Sequence, residues 1–442
     1  MIQHPFLVQI AALEPARRVG FVRKVARGYV EASGPLATVG DICEITTRAD
    51  SNKNNPLMVL AEVAAVEDAH IVLVPMDQTA SILPDARVTL RPFKNLGPVG
   101  EAFAGRAINA LAEPIDSGSP ILPEAMYALE GSVMQPMARL DSGTALETGI
   151  RAIDGMLTLG CGQRIGIFAA SGVGKTTLVR QLGAQTICDH CILCLVGERG
   201  REVEAIWRDF AQRDDRAKYT CVAATSDASA ALRVRAVHQA LCLAEHWRTV
   251  GRHVVLIIDS VTRYAMALRE IGLAAGAPPT LRAYTPNVFA ALPRLVERCG
   301  AAKAAGSITA IVTVLSETDD VDDPIVEIMK SLLDGHIVLS RQLAEQGQFP
   351  AIDIPRSISR QAQQLMSPPH AAASRRAVAI LAAYEEARMM IESGLYKAGA
   401  SSRIDEAIRM RAEVLTFLGQ ESDECAPFAE TLKRMLSSFG GR

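Results

Sequence analysis

The residues most able to do chemistry fall in one short stretch, Ala169-Ala170-Ser171-Gly172-Val173-Gly174-Lys175-Thr176-Thr177. It follows the apolar run Arg164-Ile165-Gly166-Ile167-Phe168 and precedes Leu178-Val179-Arg180-Gln181-Leu182. Strand, loop and helix in that order are the context of a phosphate-binding P-loop. Gly172 and Gly174 let backbone N–H groups turn inward where a Cβ would obstruct. The helix start adds positive potential. Lys175 can reach β- and γ-phosphate oxygens, and the Thr176 hydroxyl can ligate Mg²⁺. Ser171, Gly172, Val173, Gly174, Lys175, Thr176 and Thr177 are therefore the expected ATP-binding residues. The general pattern begins with Gly, and here Ala169 stands in that place.

Two carboxylates sit at the ends of apolar strands. Val254-Val255-Leu256-Ile257-Ile258 ends at Asp259, the usual place for an acid that orients Mg²⁺ and its waters. A helix N-cap is the other reading of that residue. Ile192-Leu193-Cys194-Leu195-Val196 ends at Gly197-Glu198-Arg199-Gly200-Arg201-Glu202. Glu198 is the candidate to polarise the attacking water, and a turn in which it pairs with Arg199 or Arg201 is the alternative. Arg263 lies four residues after Asp259, one helical turn along. Phe349-Pro350 and, farther on, Arg360 lie in a polar loop whose composition marks nothing by itself.

These residues need a scaffold, and the composition of the 442 residues allows one. Hydrophobic types at 49% and charged types at 21% exclude a disordered chain, a collagen and a coiled coil. A net charge of -3 argues against nucleic acid as the main partner. No apolar run is long enough to span a membrane as a helix. The first twelve residues lack the basic and small-residue marks of a signal peptide. Nine cysteines at irregular spacing read as reduced thiols of a cytoplasmic protein. Cys188, Cys191 and Cys194 mimic a metal motif, but residues three apart on a strand face opposite sides, so buried thiols are expected instead.

Along the chain, residues 1–27 read as a basic arm. Phe6, Leu7, Ile10 and Leu13 stand at helical spacing ahead of Arg17, Arg18, Arg23, Lys24 and Arg27. The arm is either an amphipathic helix for a membrane surface or a neighbouring subunit, or a frayed tail. Short strands over residues 28–95 suggest a small closed or sandwiched β domain, and residues 96–150 a connector. Over residues 151–365 apolar strands alternate with helices, which argues for an α/β domain with a parallel sheet covered on both faces. Residues 366–442 read as helical, as in Ala377–Ile391 and Asp405–Leu418.

Four segments together resemble the type III secretion ATPases, relatives of the catalytic subunits of F- and V-type rotary ATPases. They are Gly149-Ile150-Arg151-Ala152-Ile153-Asp154-Gly155, Leu195 to Val203, Asp259 to Ala265, and Leu333 to Arg341. The resemblance runs from about residue 20 to 420. It implies an N-terminal β-barrel, a RecA-like P-loop ATPase core and a C-terminal helical domain. It implies a homohexamer with ATP sites between subunits. It aligns Glu198 with the catalytic carboxylate and Arg199 and Arg263 with nearby charged groups. Phe349 matches the aromatic that packs on adenine, and Arg360 the arginine finger that reaches a neighbour's ATP.

The resemblance further implies Mg-dependent ATP hydrolysis that energises protein export, with release of cargo from chaperones and its unfolding. The implied partners are a peripheral stalk regulator, a central stalk protein and chaperone–effector complexes. The implied place is the cytoplasmic face of the bacterial inner membrane. The acidic loop Glu317 to Asp323 would face the central stalk. Ala224-Thr225-Ser226-Asp227 looks closer to the injectisome branch than to the flagellar one. A rotary F- or V-type catalytic subunit is the alternative, and Gly200-Arg201-Glu202-Val203 favours secretion over it.

Overall fold

A computed structural model describes residues 19–47, 57–77, 81–91, 95–140, 143–303, 305–315 and 323–440. The arm up to residue 18 and the acidic loop over 316–322 lie outside the described residues.

Six antiparallel strands close a barrel: β1 (Val19–Ala26), β2 (Tyr29–Ala32), β3 (Ile42–Thr47), β4 (Leu57–Val66), β5 (Ile71–Pro75) and β6 (Arg87–Leu90), in the order β1-β2-β5-β4-β3-β6. Closure removes the exposed edges that such short strands would otherwise present. Alternate residues point inward, and Val22, Val30, Ile45, Val63, Leu73 and Val88 make the core. The basic arm expected to reach residue 27 is corrected here, because β1 takes up Val19–Ala26. Val22 turns into the barrel while Arg23 and Lys24 face out, and Lys24 bonds Glu31 on β2 at 2.7 Å. Charges on the outer face of a strand had the look of a tail. Gly20 has a specific reason to lack a side chain: a Cβ there would stand 1.8 Å from the Gly34 carbonyl oxygen.

The segment after the barrel is more than a connector. β7 (Leu96–Val99) pairs with β9 (Ala125–Ala128), and β8 (Ala107–Asn109) adds itself to the edge of the central sheet. The turn after β8 lacks glycine. Asn109 Oδ1 accepts from the amides of Leu111 and Glu113, and Ala112 takes a positive φ of 62°. The side-chain carbonyl supplies what a backbone turn would.

The central sheet also holds β10 (Arg139–Leu140), β11 (Arg164–Ala169), β12 (His190–Val196), β13 (Tyr219–Ala224), β14 (His253–Asp259), β15 (Gly300–Ala302), β16 (Ser307–Leu315), β17 (Gly335–Val338) and β18 (Ile358–Ser359). Its main path is β18-β17-β11-β16-β14-β12-β13-β8, parallel from β17 to β8. Helices cover both faces, so the inner strands are apolar without alternation. Every residue of β12 is buried. Cys191 belongs to the core on one face of the sheet and Cys194 to the core on the other.

After a short helix at Ala362–Leu365, three longer helices follow: Pro368–Glu392, Ser402–Leu418 and Phe428–Phe439. They pack on the central domain through Phe417, Met435 and Phe439. One edge of that seam is tied by hydrogen bonds. Arg151 is 6% exposed, and its guanidinium bonds the Phe417 and Gly419 carbonyls and the Glu424 carboxylate. Gln420 donates its backbone N–H to the Phe349 carbonyl (2.8 Å) and its side-chain amide to the Gly149 carbonyl (2.7 Å). Next to these bonds, where Gln348, Pro350, Leu415 and Leu418 line it, the seam opens into a cavity of about 760 Å³, walled by Leu339, Leu343 and Ile354 on one side and Leu381, Tyr384 and Arg411 on the other. The order of barrel, parallel α/β core and helical domain is the one expected.

Candidate nucleotide site

Strand β11 ends at Ala169, and the helix Lys175–Gln185 begins after five intervening residues. Gly172 and Gly174 have φ of 82° and 92°. A Cβ at Gly172 would meet nothing within 4 Å, so the loop needs glycine there for its backbone angle alone. Val173 is buried in the core and anchors the loop, leaving its main chain for a ligand. The helix starts without a side-chain cap, so its first amides are available to an anion. Ser171, Thr176 and Thr177 are exposed around that start.

Three charged side chains converge beside the loop. Lys175 Nζ bonds Asp259 Oδ1 and lies 3.6 Å from Glu198 Oε1. Asp259 is 1% exposed at the end of β14. Glu198 follows β12, the next strand in the sheet, so both acids project from the carboxyl ends of parallel strands. Burial pushes the Glu198 carboxyl above its ordinary value, Lys175 and Arg263 pull it back, and Asp259 pushes it further up. Arg263 packs against Gly197, and its buried Nε has no hydrogen-bond partner among the described residues.

The remaining expected residues stand around this cluster. Phe349 is 46% exposed, and its ring would lie 3.5 Å from a Cβ on Gly174. It borders a cleft with Gly174, Thr177, Gln181, Gln420 and Ser422. Arg199 is exposed, with Glu202 at 3.9 Å. Arg360 is also exposed. Its backbone N–H donates to the Asp334 carbonyl and its guanidinium to the Lys330 carbonyl at 3.4 Å. The structure thus gathers Lys175, Glu198, Asp259 and Arg263, sets Phe349 at the loop's flank, and leaves Arg199 and Arg360 at the surface.

The oxygen donors Thr176 and Asp259 suit a hard cation such as Mg²⁺, which takes one or two protein ligands and fills its shell with phosphate and water. Among the described residues no group of three His, Cys, Asp or Glu is arranged to hold a metal. That is compatible with this sparse mode of binding.

Sequence reasoning missed Thr313, which donates to Asp259 Oδ1 at 2.6 Å. A hydroxyl inside the apolar run of β16 was the signal available. It also missed Gln420 and Arg151, whose side-chain bonds to the Gly149 and Phe417 carbonyls reach across 271 and 266 residues of chain.

Residues 149–359 match the ATP synthase alpha/beta family, nucleotide-binding domain. Residues 366–437 match the T3SS EscN ATPase C-terminal domain. The chain is 41% identical to the flagellum-specific ATP synthase of Bacillus subtilis, over 96% of each protein. It is 38% identical to the type 3 secretion system ATPase of Xanthomonas euvesicatoria, over 97% of this chain and 96% of that one. The assembled ATPase EscN of enteropathogenic E. coli superposes with a TM-score of 0.89 at 35% identity, covering 95% of this chain and all of that one. EscN in complex with its central stalk EscO gives 0.84 over the same shares.

Proposed function

This chain belongs to the type III protein-export ATPases, the family of the type 3 secretion system ATPases and the flagellum-specific ATP synthases, and from that premise we propose how its site works. The protein is an ATP-hydrolysing enzyme of protein secretion. The C-terminal match to the secretion family sets aside the rotary F- or V-type subunit. Relatives from the flagellar and the injectisome branch match at 38–41% identity, so the leaning to the injectisome drawn from Ala224 to Asp227 gains nothing from them.

The carrying observation is the placement of Lys175 between Glu198 and Asp259 at the end of a P-loop. When ATP enters, Lys175 turns from the carboxylates to the β- and γ-phosphates. Glu198, freed of that pairing, orients the attacking water and accepts its proton. Thr176 and Asp259 would hold Mg²⁺, whose charge offsets that of the phosphates. Phe349 stacks on the base. Arg263 steadies the charge of Glu198 from behind, and Arg199 sits at the rim. The exposed position of Arg360, whose partners among the described residues are the Asp334 and Lys330 carbonyls, suits a finger offered to a neighbouring subunit.

The site is then completed only in a ring of six, as the likeness to assembled EscN supports. EscN is bound to its central stalk EscO in one solved structure, and a central stalk is proposed as a partner here. A peripheral stalk regulator, chaperone–effector complexes and a place at the cytoplasmic membrane face belong to the same reading. The test is ATP hydrolysis against protein concentration, with mass measured on the same samples. Specific activity should rise steeply as a sixfold assembly forms. Activity that stays flat in a monomer overturns the shared site.

A further inference from the structure

The P-loop strand β11 and the Asp259 strand β14 are not neighbours, because β16 lies between them. At the level of the site, Thr313 of β16 is the register partner of Ile167 on β11, and Val312 pairs with Ile258 on β14. Thr313 is fully buried. The core on that face is built from Ile167, Ile257 and Ile311. Valine would have the shape of threonine and would suit such a face. A buried hydroxyl among these residues costs stability unless it is bonded, and this one donates to Asp259 Oδ1 at 2.6 Å.

Asp259 Oδ1 therefore has two donors, Thr313 and Lys175. They differ in what can happen to them. Lys175 is on a flexible stem and leaves for the phosphates in the mechanism above. Thr313 is fixed in the middle of a sheet. We propose that Thr313 is a positioning residue, which holds the Asp259 carboxylate in its metal-facing rotamer after Lys175 has left. The other oxygen, Oδ2, is then presented to Mg²⁺ or its waters without a search over rotamers. This rests on the reading of Asp259 as a Mg²⁺-orienting acid.

The experiment uses the full-length protein with Thr313→Val, Thr313→Ser and Asp259→Asn. Two quantities are read: the Mg²⁺ concentration that half-saturates ATP turnover, and the Mg²⁺-dependent tightening of a fluorescent ADP, which needs no turnover. Partners that orient a metal-binding group typically matter by about 10–100-fold in metal affinity. Thr313→Val should raise both Mg²⁺ requirements by about tenfold or more, leave metal-free ADP binding unchanged, and be rescued by Thr313→Ser. Wild-type Mg²⁺ dependence in Thr313→Val, or equal loss in Val and Ser, overturns the proposal. If the Val chain does not fold, Ser against Ala at 313 isolates the hydroxyl, and equal Mg²⁺ dependence of those two overturns it as well. Asp259→Asn separates the failures. If it alone shifts the Mg²⁺ requirement, Thr313 is not the positioning group. If it shifts nothing, the reading of Asp259 fails and Thr313 falls with it.

Discussion

Lys175 Nζ and Glu198 Oε1 stand 3.6 Å apart, with Asp259 bonded to the same ammonium. One cation thus holds together the two acids proposed to orient the water and the metal. Glu198→Gln keeps size and removes the base. Turnover should fall by about 10²–10⁴-fold, the usual worth of a general base. Binding of a fluorescent nucleotide should persist, and unchanged turnover would reject the role.

The raised pKa of Glu198 gives the acid side of the pH profile a direction. The base works ionised, so kcat/KM for ATP should fall on acidification with a midpoint above the ordinary carboxylate value of 4.5. The same shift bears on stability. A folded-state pKa above the unfolded one favours the fold below the unfolded pKa, and that contribution is lost as pH rises through the folded value. Glu198→Gln should therefore melt higher than wild type at neutral pH, with the gap closing below about pH 4. Thermal melts at both pH values decide it.

Arg360 and Lys175 should complement across subunits. Arg360→Ala alone should lose about 10³–10⁵-fold of turnover, as for other arginine fingers supplied in trans. Mixing it with an inactive Lys175→Ala protein creates interfaces that carry an intact Lys175 on one side and an intact Arg360 on the other. Recovered activity in the mixture supports a shared site, and a mixture as dead as its parts refutes it.

Phe349→Ala removes a stacking face worth about 0.5–1.5 kcal/mol. KM for ATP should rise about three- to tenfold with kcat nearly unchanged, the mark of lost uniform binding. A fall in kcat with KM intact would assign the ring another task.

A stability prediction concerns the core. Arg298 is 1% exposed and forks onto Glu245 at 2.7 and 2.9 Å, while bonding the Leu129 carbonyl. Arg298→Met leaves Glu245 buried without its partner and should cost about 3–5 kcal/mol. Urea unfolding would measure it.

The site was legible where its chemistry is local. Gly172 to Thr176 is a contiguous motif, and Asp259 and Glu198 sit just past apolar strands that announce themselves. Phe349 and Arg360 were visible only through resemblance, since nothing in their own loop distinguishes them. Thr313 was hidden because its partner is 54 residues away and a Thr in a strand is ordinary. The first barrel strand was hidden for the opposite reason. Its outward Arg23 and Lys24 outweighed its inward Gly20 and Val22 in a reading by composition, whereas the pairing with β6 that closes the barrel lies far along the chain.

The seam between the helical domain and the nucleotide core has consequences for how load travels. Gln420 grips the carbonyls of Phe349 and Gly149, and Arg151 grips the Phe417 and Gly419 carbonyls just before Gln420 and the Glu424 carboxylate just after it. The same seam borders the cavity of about 760 Å³, whose wall includes Gln348, Pro350, Leu415 and Leu418 next to those bonds. The two domains are thus joined beside Phe349 by a few directional bonds with empty space alongside, so a strain applied to the C-terminal helices would be felt first at Gln420.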